Sequence, residues 1–198
     1  SRVDPELHTS LPASARWPVD TAGTTVSGNT ITLPLGMTLD PGGIGKGFAA
    51  DVLVTRALEL GALGALVEIG GDLRIAGSAP DGQNWHIGIE DPHNPGHHCA
   101  RVNLVDGAVA TSSTLTRTWE HEGTTRHHLI DSETGMPLES DVVSVSVIAV
   151  SGAIAEVVSK CGFSRADFLL WAPSLGTAAL VVHRDGSIAE SENWKDYA

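Results

Sequence analysis

The stretch Asp40-Pro-Gly-Gly-Ile-Gly-Lys-Gly-Phe-Ala-Ala-Asp51 concentrates residues that could handle a charged ligand. Glycines at 42, 43, 45 and 47 allow the backbone to come close to a ligand. The first turn of the helix that follows would add unpaired N–H groups carrying partial positive charge, and Lys46 adds a full one. This reads as a cradle for a phosphate-bearing ligand. A glycine-rich strand-to-helix turn with an exposed lysine accounts for the same residues equally well. Neither common phosphate loop fits: a Walker loop needs Ser or Thr after the lysine, where this chain has Gly47, and a dinucleotide fingerprint begun at Gly43 needs glycine where Phe48 stands.

Other constellations carry their own alternatives. His127-His128-Leu129-Ile130-Asp131 runs into Thr134-Gly135-Met136-Pro137, a turn signal. A histidine and an aspartate three residues apart could act as a base and its orienting partner; the plainer account is a strand end with Asp131 capping the turn. Gly70-Gly71-Asp72 interrupts a β run and marks a bulge or a close backbone approach. Glu156 and Lys160 are spaced i, i+4 on a predicted helix, as in an ordinary surface ion pair. Their neighbours Ala155, Val157, Val158 and Cys161 are small or apolar, so that face is expected to be partly buried. His93, His97, His98 and Cys99 match no common zinc spacing, and Pro92, Asn94, Pro95 and Gly96 among them read as a solvated loop.

The elements that must position these groups are mostly strands. Thr24–Leu35 reads as a hairpin around Ser27-Gly28-Asn29. A helical stripe at 49, 52, 53, 57 and 60 predicts a helix over Ile44–Leu60, stopped by Gly61. Ala65–Gly77 reads as two strands split at Gly70-Gly71, Asn84–Glu90 as another, and Cys99–Asp106 with Val109–Ser112 as a hairpin. Val142–Val150 is strongly β-prone, Ala153–Cys161 and Arg165–Trp171 are helix candidates, and Thr177–His183 is a late strand before the turn Asp185-Gly186. Strands follow one another with few helical crossovers. The expected fold is therefore α+β: a single domain over residues 1–198 with a largely antiparallel or mixed sheet and a few packed helices. Residues 1–20, with prolines at 5, 12 and 18, are expected to form an extended arm.

Composition narrows the function. The chain has 198 residues and a net charge of −12, which disfavours nucleic acid because phosphate contacts need a basic surface. Lysine and arginine number only twelve, so each one near the glycine loop gains weight. Cys99 and Cys161 make neither a disulfide framework nor a zinc motif. No run of about 18 apolar residues suggests a membrane span, and no export signal is visible.

Taken in order, these pieces resemble the ApbE family of FAD:protein FMN transferases. Asp40–Asp51 is similar to that family's D-x-G-G-I-x-K-G-x-x-x-D segment and Val67–Asp72 to its V-N-x-G-G-D. Ala110-Thr-Ser112 resembles A-T-S. His128–Pro137 resembles H-I-I-D-P-x-T-G-x-P with Ser132 for the first proline, and Val145–Glu156 resembles V-T-V-I-A-P…A-D. The resemblance implies an enzyme that cleaves FAD, releases AMP and leaves FMN phosphoester-linked to a Thr or Ser of a partner protein. A non-catalytic FAD-binding protein and a pyrophosphatase yielding FMN and AMP are the alternatives. It also implies FAD contacts from Asp40, Gly42, Gly43, Gly45, Lys46, Gly71, Asp72 and the Ile130 backbone, with His128 and Asp131 catalytic. Mg²⁺ would sit between the Gly43 carbonyl and Glu156. Here the chain departs from the family, which presents Asp and Thr where Glu156 and Lys160 stand; an ammonium has no acceptor for a metal, so either the metal is held differently or Lys160 takes its place. A longer N-terminal part, usual in the family, is expected to be shortened or missing. The compartment stays open between the cytoplasm and, by resemblance, its outside.

Overall fold

A computed structural model of the chain describes residues 22–198 apart from 36, 38, 122, 132 and 133. The arm expected over 1–20 lies outside the described residues. The chain divides into two compact units, one holding the described residues up to Asp40 together with Leu129–Leu138, the other Pro41–His128 with Glu139–Ala198. No described helix is long and apolar enough to cross a membrane.

In the first unit Thr25–Ser27 (β1) and Thr30–Thr32 (β2) form the expected hairpin, with Val26 opposite Ile31. Backbone hydrogen bonds join the described ends of Leu129–Leu138. The Asp131 N–H donates to the Met136 carbonyl at 2.8 Å, the Gly135 N–H to the Asp131 carbonyl at 2.8 Å, and the Leu138 N–H to the Leu129 carbonyl at 2.9 Å.

The second unit is built on a six-stranded sheet. In chain order its strands are Gly64–Ile69 (β3), Asp72–Gly77 (β4), Trp85–Glu90 (β5), His98–Leu104 (β6), Gly107–Ser113 (β7), Thr118–His121 (β8), Thr124–His127 (β9), Val142–Ala149 (β10), Ala178–His183 (β11) and Ile188–Glu190 (β12). The six that form the sheet lie in the order β12-β11-β10-β7-β4-β3, and every neighbouring pair is antiparallel. The helices are Gly45–Glu59 (α1), Gly152–Cys161 (α2) and the single turn Phe168–Trp171 (α3). α1 packs on β3 and β4, α2 on β7 and β10, and the two helices on each other. The hairpin β5–β6 is tied to the sheet by a buried cluster that includes Ile75, Ile87, Ile89, Val102, Leu104, Val109, Ile148 and Leu180. Full burial of each such side chain stabilises by about 1.5–3 kcal/mol.

Three expectations need correction. Cys99–Asp106 and Val109–Ser112 are strands but not partners: β6 pairs back with β5, and β7 enters the sheet between β4 and β10. The turn at Asp106-Gly107 suits either arrangement, and burial decides. β7 is buried almost throughout, which a two-stranded surface hairpin cannot supply. The helix expected over Arg165–Trp171 shrinks to Phe168–Trp171. On α1 the buried line is Gly47, Ala50 and Val54, whereas Val52 and Leu53 of the expected stripe are about half exposed. The narrow, small-residue face is the one that meets α2.

Candidate active site

In the second unit the N-terminal turns of α1 and α2 meet. A Cβ on Gly47 would overlap the carbonyl of Gly152, and a Cβ on Gly152 would press on the Gly47 backbone, so both positions need glycine. The N-cap of α1, Ile44, has no side-chain acceptor. Glu156 of α2 supplies it: its Oε2 accepts from the Gly47 N–H at 2.9 Å. α1 returns the favour through Asp51, whose oxygens accept from the Gly152 N–H at 2.7 Å and the Ala153 N–H at 3.0 Å. Ser151 adds its own cap, accepting from the Ile154 N–H at 3.3 Å. Each helix thus places a carboxylate on the other's positive end, where orphan N–H groups and the dipole both favour an anion.

Lysines surround this junction. Lys46 forms an ion pair with Asp72 and lies 3.1 Å from Glu156 Oε1. Asp72 is buried at the start of β4 and also accepts from the Thr111 N–H at 3.2 Å, which fixes it between loop and sheet. Lys160 Nζ donates to the Glu156 backbone carbonyl at 3.0 Å and lies 3.7 Å from the carboxylate. Its stem passes over Gly43, with Cε 3.7 Å from where a Cβ would stand. Burial pushes the Lys160 pKa down, Glu156 opposes this, and Lys46 and Arg117 add to the depression. Glu156 itself is 1% exposed, and the two ammonium groups and the α1 N-terminus are what its carboxylate faces.

The exit from β9 carries His128. Its Nδ1 is buried with no hydrogen-bond partner among the described residues. Burial lowers its pKa first, and the positive groups Arg117, His127, Lys160 and Lys46 lower it further. Burial and the positive field keep the imidazole in its neutral form, with a lone pair available, while making it a weaker base than a free imidazole. Arg117 lies on the segment between β7 and β8 with φ +55°, the one left-handed non-glycine among the described residues. Such a conformation costs on the order of 1–3 kcal/mol and is a reason to ask what the side chain does.

A profile of the ApbE family matches residues 7–168. The chain belongs to the ApbE family. It is 37% identical over 137 residues to the FAD:protein FMN transferase of Treponema pallidum, covering 65% of this chain and 38% of that one. To the Vibrio cholerae protein of the same name it is 34% identical over 134 residues, covering 67% and 40%. The crystal structure of the ApbE protein of Thermotoga maritima superposes with a TM-score of 0.78 at 34% identity, covering 84% of this chain and 55% of that one. The apo flavinyl transferase ApbE of Pseudomonas stutzeri gives 0.72 at 29%, covering 87% and 55%. The chain therefore spans about two-fifths of the length of the curated relatives it matches.

Of the positions singled out by the ApbE resemblance, Gly43, Lys46, Asp72, Glu156 and Lys160 come together at the helix junction. Gly42 lies in the short 3-10 turn Pro41–Gly43, Gly45 opens α1, and Gly71 turns β3 into β4, its N–H donating to Glu68 Oε1 at 2.9 Å. Asp40, Ile130 and Asp131 belong to the first unit. Sequence reasoning passed over the capping role of Asp51, although the residue closes the loop motif, and it passed over Arg117. Ordinary side-chain chemistry gives no local sign of a left-handed arginine.

The donor set does not fit a divalent cation between Gly43 and Glu156. Oε2 of Glu156 is committed to Gly47, and Oε1, which accepts no hydrogen bond, faces the Lys46 ammonium. Lys160 covers Gly43 and offers donors only. An ion placed against Oε1 would meet two ammonium groups, and no cluster of three or more His, Cys, Asp or Glu suited to a metal occurs among the described residues.

Proposed function

We propose that this chain, as one flavin-transferase domain, moves FMN from FAD to a Thr or Ser hydroxyl of a partner protein and releases AMP. The observation that supports this most is the ordered family match over residues 7–168, whose loop, Gly-Gly-Asp and helix segments converge on one cationic junction. The acceptor oxygen bonds to the FMN-side phosphorus while the bond from that phosphorus to the AMP phosphate breaks. The hydroxyl proton passes to the neutral imidazole of His128, and AMP leaves as an anion. Lysines 46 and 160 oppose the charge that develops on the diphosphate, in a partly buried setting where such opposition is stronger than in water. Asp40, Gly42, Gly45, Gly71, Ile130 and Asp131 keep the FAD-contacting and orienting roles that the resemblance assigns them. Because two ammonium groups stand against Glu156, the reaction is proposed to depend little on Mg²⁺.

The test is incubation with FAD and a Thr-bearing acceptor peptide, following AMP and the mass of the peptide. Peptide gaining FMN in step with AMP release is the expected result; AMP without labelled peptide means water is the acceptor. One observation favours a binding-only protein: Lys46 and Lys160 are already largely matched by Asp72 and Glu156. FAD binding with no AMP release would establish that reading instead.

A further inference from the structure

Lys46 and Lys160 face Asp72 and Glu156, so two ammonium charges meet two carboxylates and the junction holds little net charge. A diphosphate brings about two negative charges, and lysines that already face carboxylates leave part of that charge for a further cation to meet. Arg117 is different. It is exposed, and among the described residues it forms no ion pair and no hydrogen bond. Its Nη2 lies 4.0 Å from the point where a Cβ on Gly70 would stand, and Lys46 Cδ lies 3.5 Å from the same point. The two side chains therefore straddle Gly70, whose left-handed backbone (φ +58°) leaves that point bare. Arg117 also lines a cleft of about 550 Å³ that has Gly70, Gly71 and Thr111 beside it, apolar residues of β4, β5 and β7 on its walls, and the carboxylates Glu68 and Glu90, so that Arg117 is its only cation.

We propose that Arg117 is the cation that grips the diphosphate of FAD above Gly70, with the left-handed turn holding its guanidinium at the mouth of that cleft. This rests on the flavin reading above. The planar fork of a guanidinium can meet two phosphate oxygens at once, which an ammonium cannot. The strained backbone is then the consequence of aiming the side chain at a ligand, because no partner within the described protein does so.

The experiment compares wild type with Arg117→Gly, Arg117→Gln and Arg117→Lys. Titrations follow flavin fluorescence with FAD and, separately, with riboflavin, which lacks phosphate; thermal unfolding is measured without ligand. Glycine adopts the left-handed conformation freely, so Arg117→Gly should unfold at the same or a higher temperature. It should nevertheless bind FAD about tenfold or more weakly, with riboflavin affinity unchanged. Arg117→Gln should match that loss, and Arg117→Lys should recover part of it. Unchanged FAD affinity in both neutral variants, or equal loss for FAD and riboflavin, overturns the assignment while leaving the flavin reading intact. Wild-type protein that fails to bind FAD overturns the flavin reading, and this assignment with it.

Discussion

The α1–α2 junction and the rim, the segment that runs from Arg117 to His128, belong to the same unit and treat their polar groups differently: at the junction even Glu156 Oε1, which accepts no hydrogen bond, faces an ammonium. At the junction Asp51 and Glu156 each cap the other's helix, and Asp51 also pairs with Arg74 Nε at 3.3 Å. On the rim the Arg126 Nε and His128 Nδ1 atoms are buried with no hydrogen-bond partner among the described residues, and Arg117 holds a left-handed backbone. A buried polar group left unmatched is costly, and so is a strained arginine. The difference teaches that motif carboxylates of this chain also build the fold, since Asp51 and Glu156 each cap the other's helix.

If the junction is architectural, the largest effect of any change there is on stability. Gly47→Ala should destabilise by about 3 kcal/mol or more, because the neighbour it meets is backbone that cannot swing away. That corresponds to a fall of roughly 6–12 °C in Tm for a domain this size. A calorimetric Tm within about a degree of wild type would break the comparison at its strongest point. Next comes the rim. His128→Ala should slow AMP release about a hundredfold, or about 2.7 kcal/mol of transition-state stabilisation, with Tm nearly unchanged. An active variant would return the residue to a strand end.

Asp51→Ala sharpens the contrast, since it removes two caps and a partner of Arg74 in one step. We expect a loss of about 1–2 kcal/mol in chemical denaturation, with FAD affinity unchanged in the folded fraction. The pH profile of AMP release gives a smaller effect. Burial and positive neighbours hold His128 below the ordinary imidazole value, so its base form survives as pH falls below about 6.5 and the acid limb should lie lower than that. For stability, the unfolded chain takes up this proton first. The group's contribution is therefore complete above about pH 6.5 and is lost as pH falls through the folded-state value. Lys160→Thr, which removes one positive neighbour, should move the acid limb upward. The smallest effect concerns the metal. EDTA should change wild-type AMP release less than about threefold, or about 0.6 kcal/mol, whereas Lys160→Thr should gain measurable Mg²⁺ binding by calorimetry with FAD present.

Local signals located most elements, because turn chemistry and hydrophobic period act over a few residues. Gly61, Gly186 and the Gly70-Gly71 pair, all left-handed, end or reverse elements where sequence reading put those breaks. The hairpin β8–β9 was missed because its residues alternate without an apolar face and are largely exposed, so no hydrophobic period marks it. Glu156 and Lys160 were legible as an i, i+4 pair. That Glu156 caps a helix more than a hundred positions away was not, because the partner N–H belongs to Gly47.

By itself the sequence determined which residue types gather in each segment: glycines where backbone must pass close or turn left-handed, a β-prone run at Val142–Ala149 buried along its whole length, and a family pattern read in order. Tertiary structure alone decided which strand β7 pairs with, which face of α1 is buried, and which charges cancel. Those outcomes depend on contacts between residues remote in the chain, where packing and charge act through space and no local spacing encodes the distance. Lys46 looked like a free cation in its loop and proved to be matched by Asp72 and Glu156, whereas Arg117, unremarked in its segment, has no ion pair among the described residues.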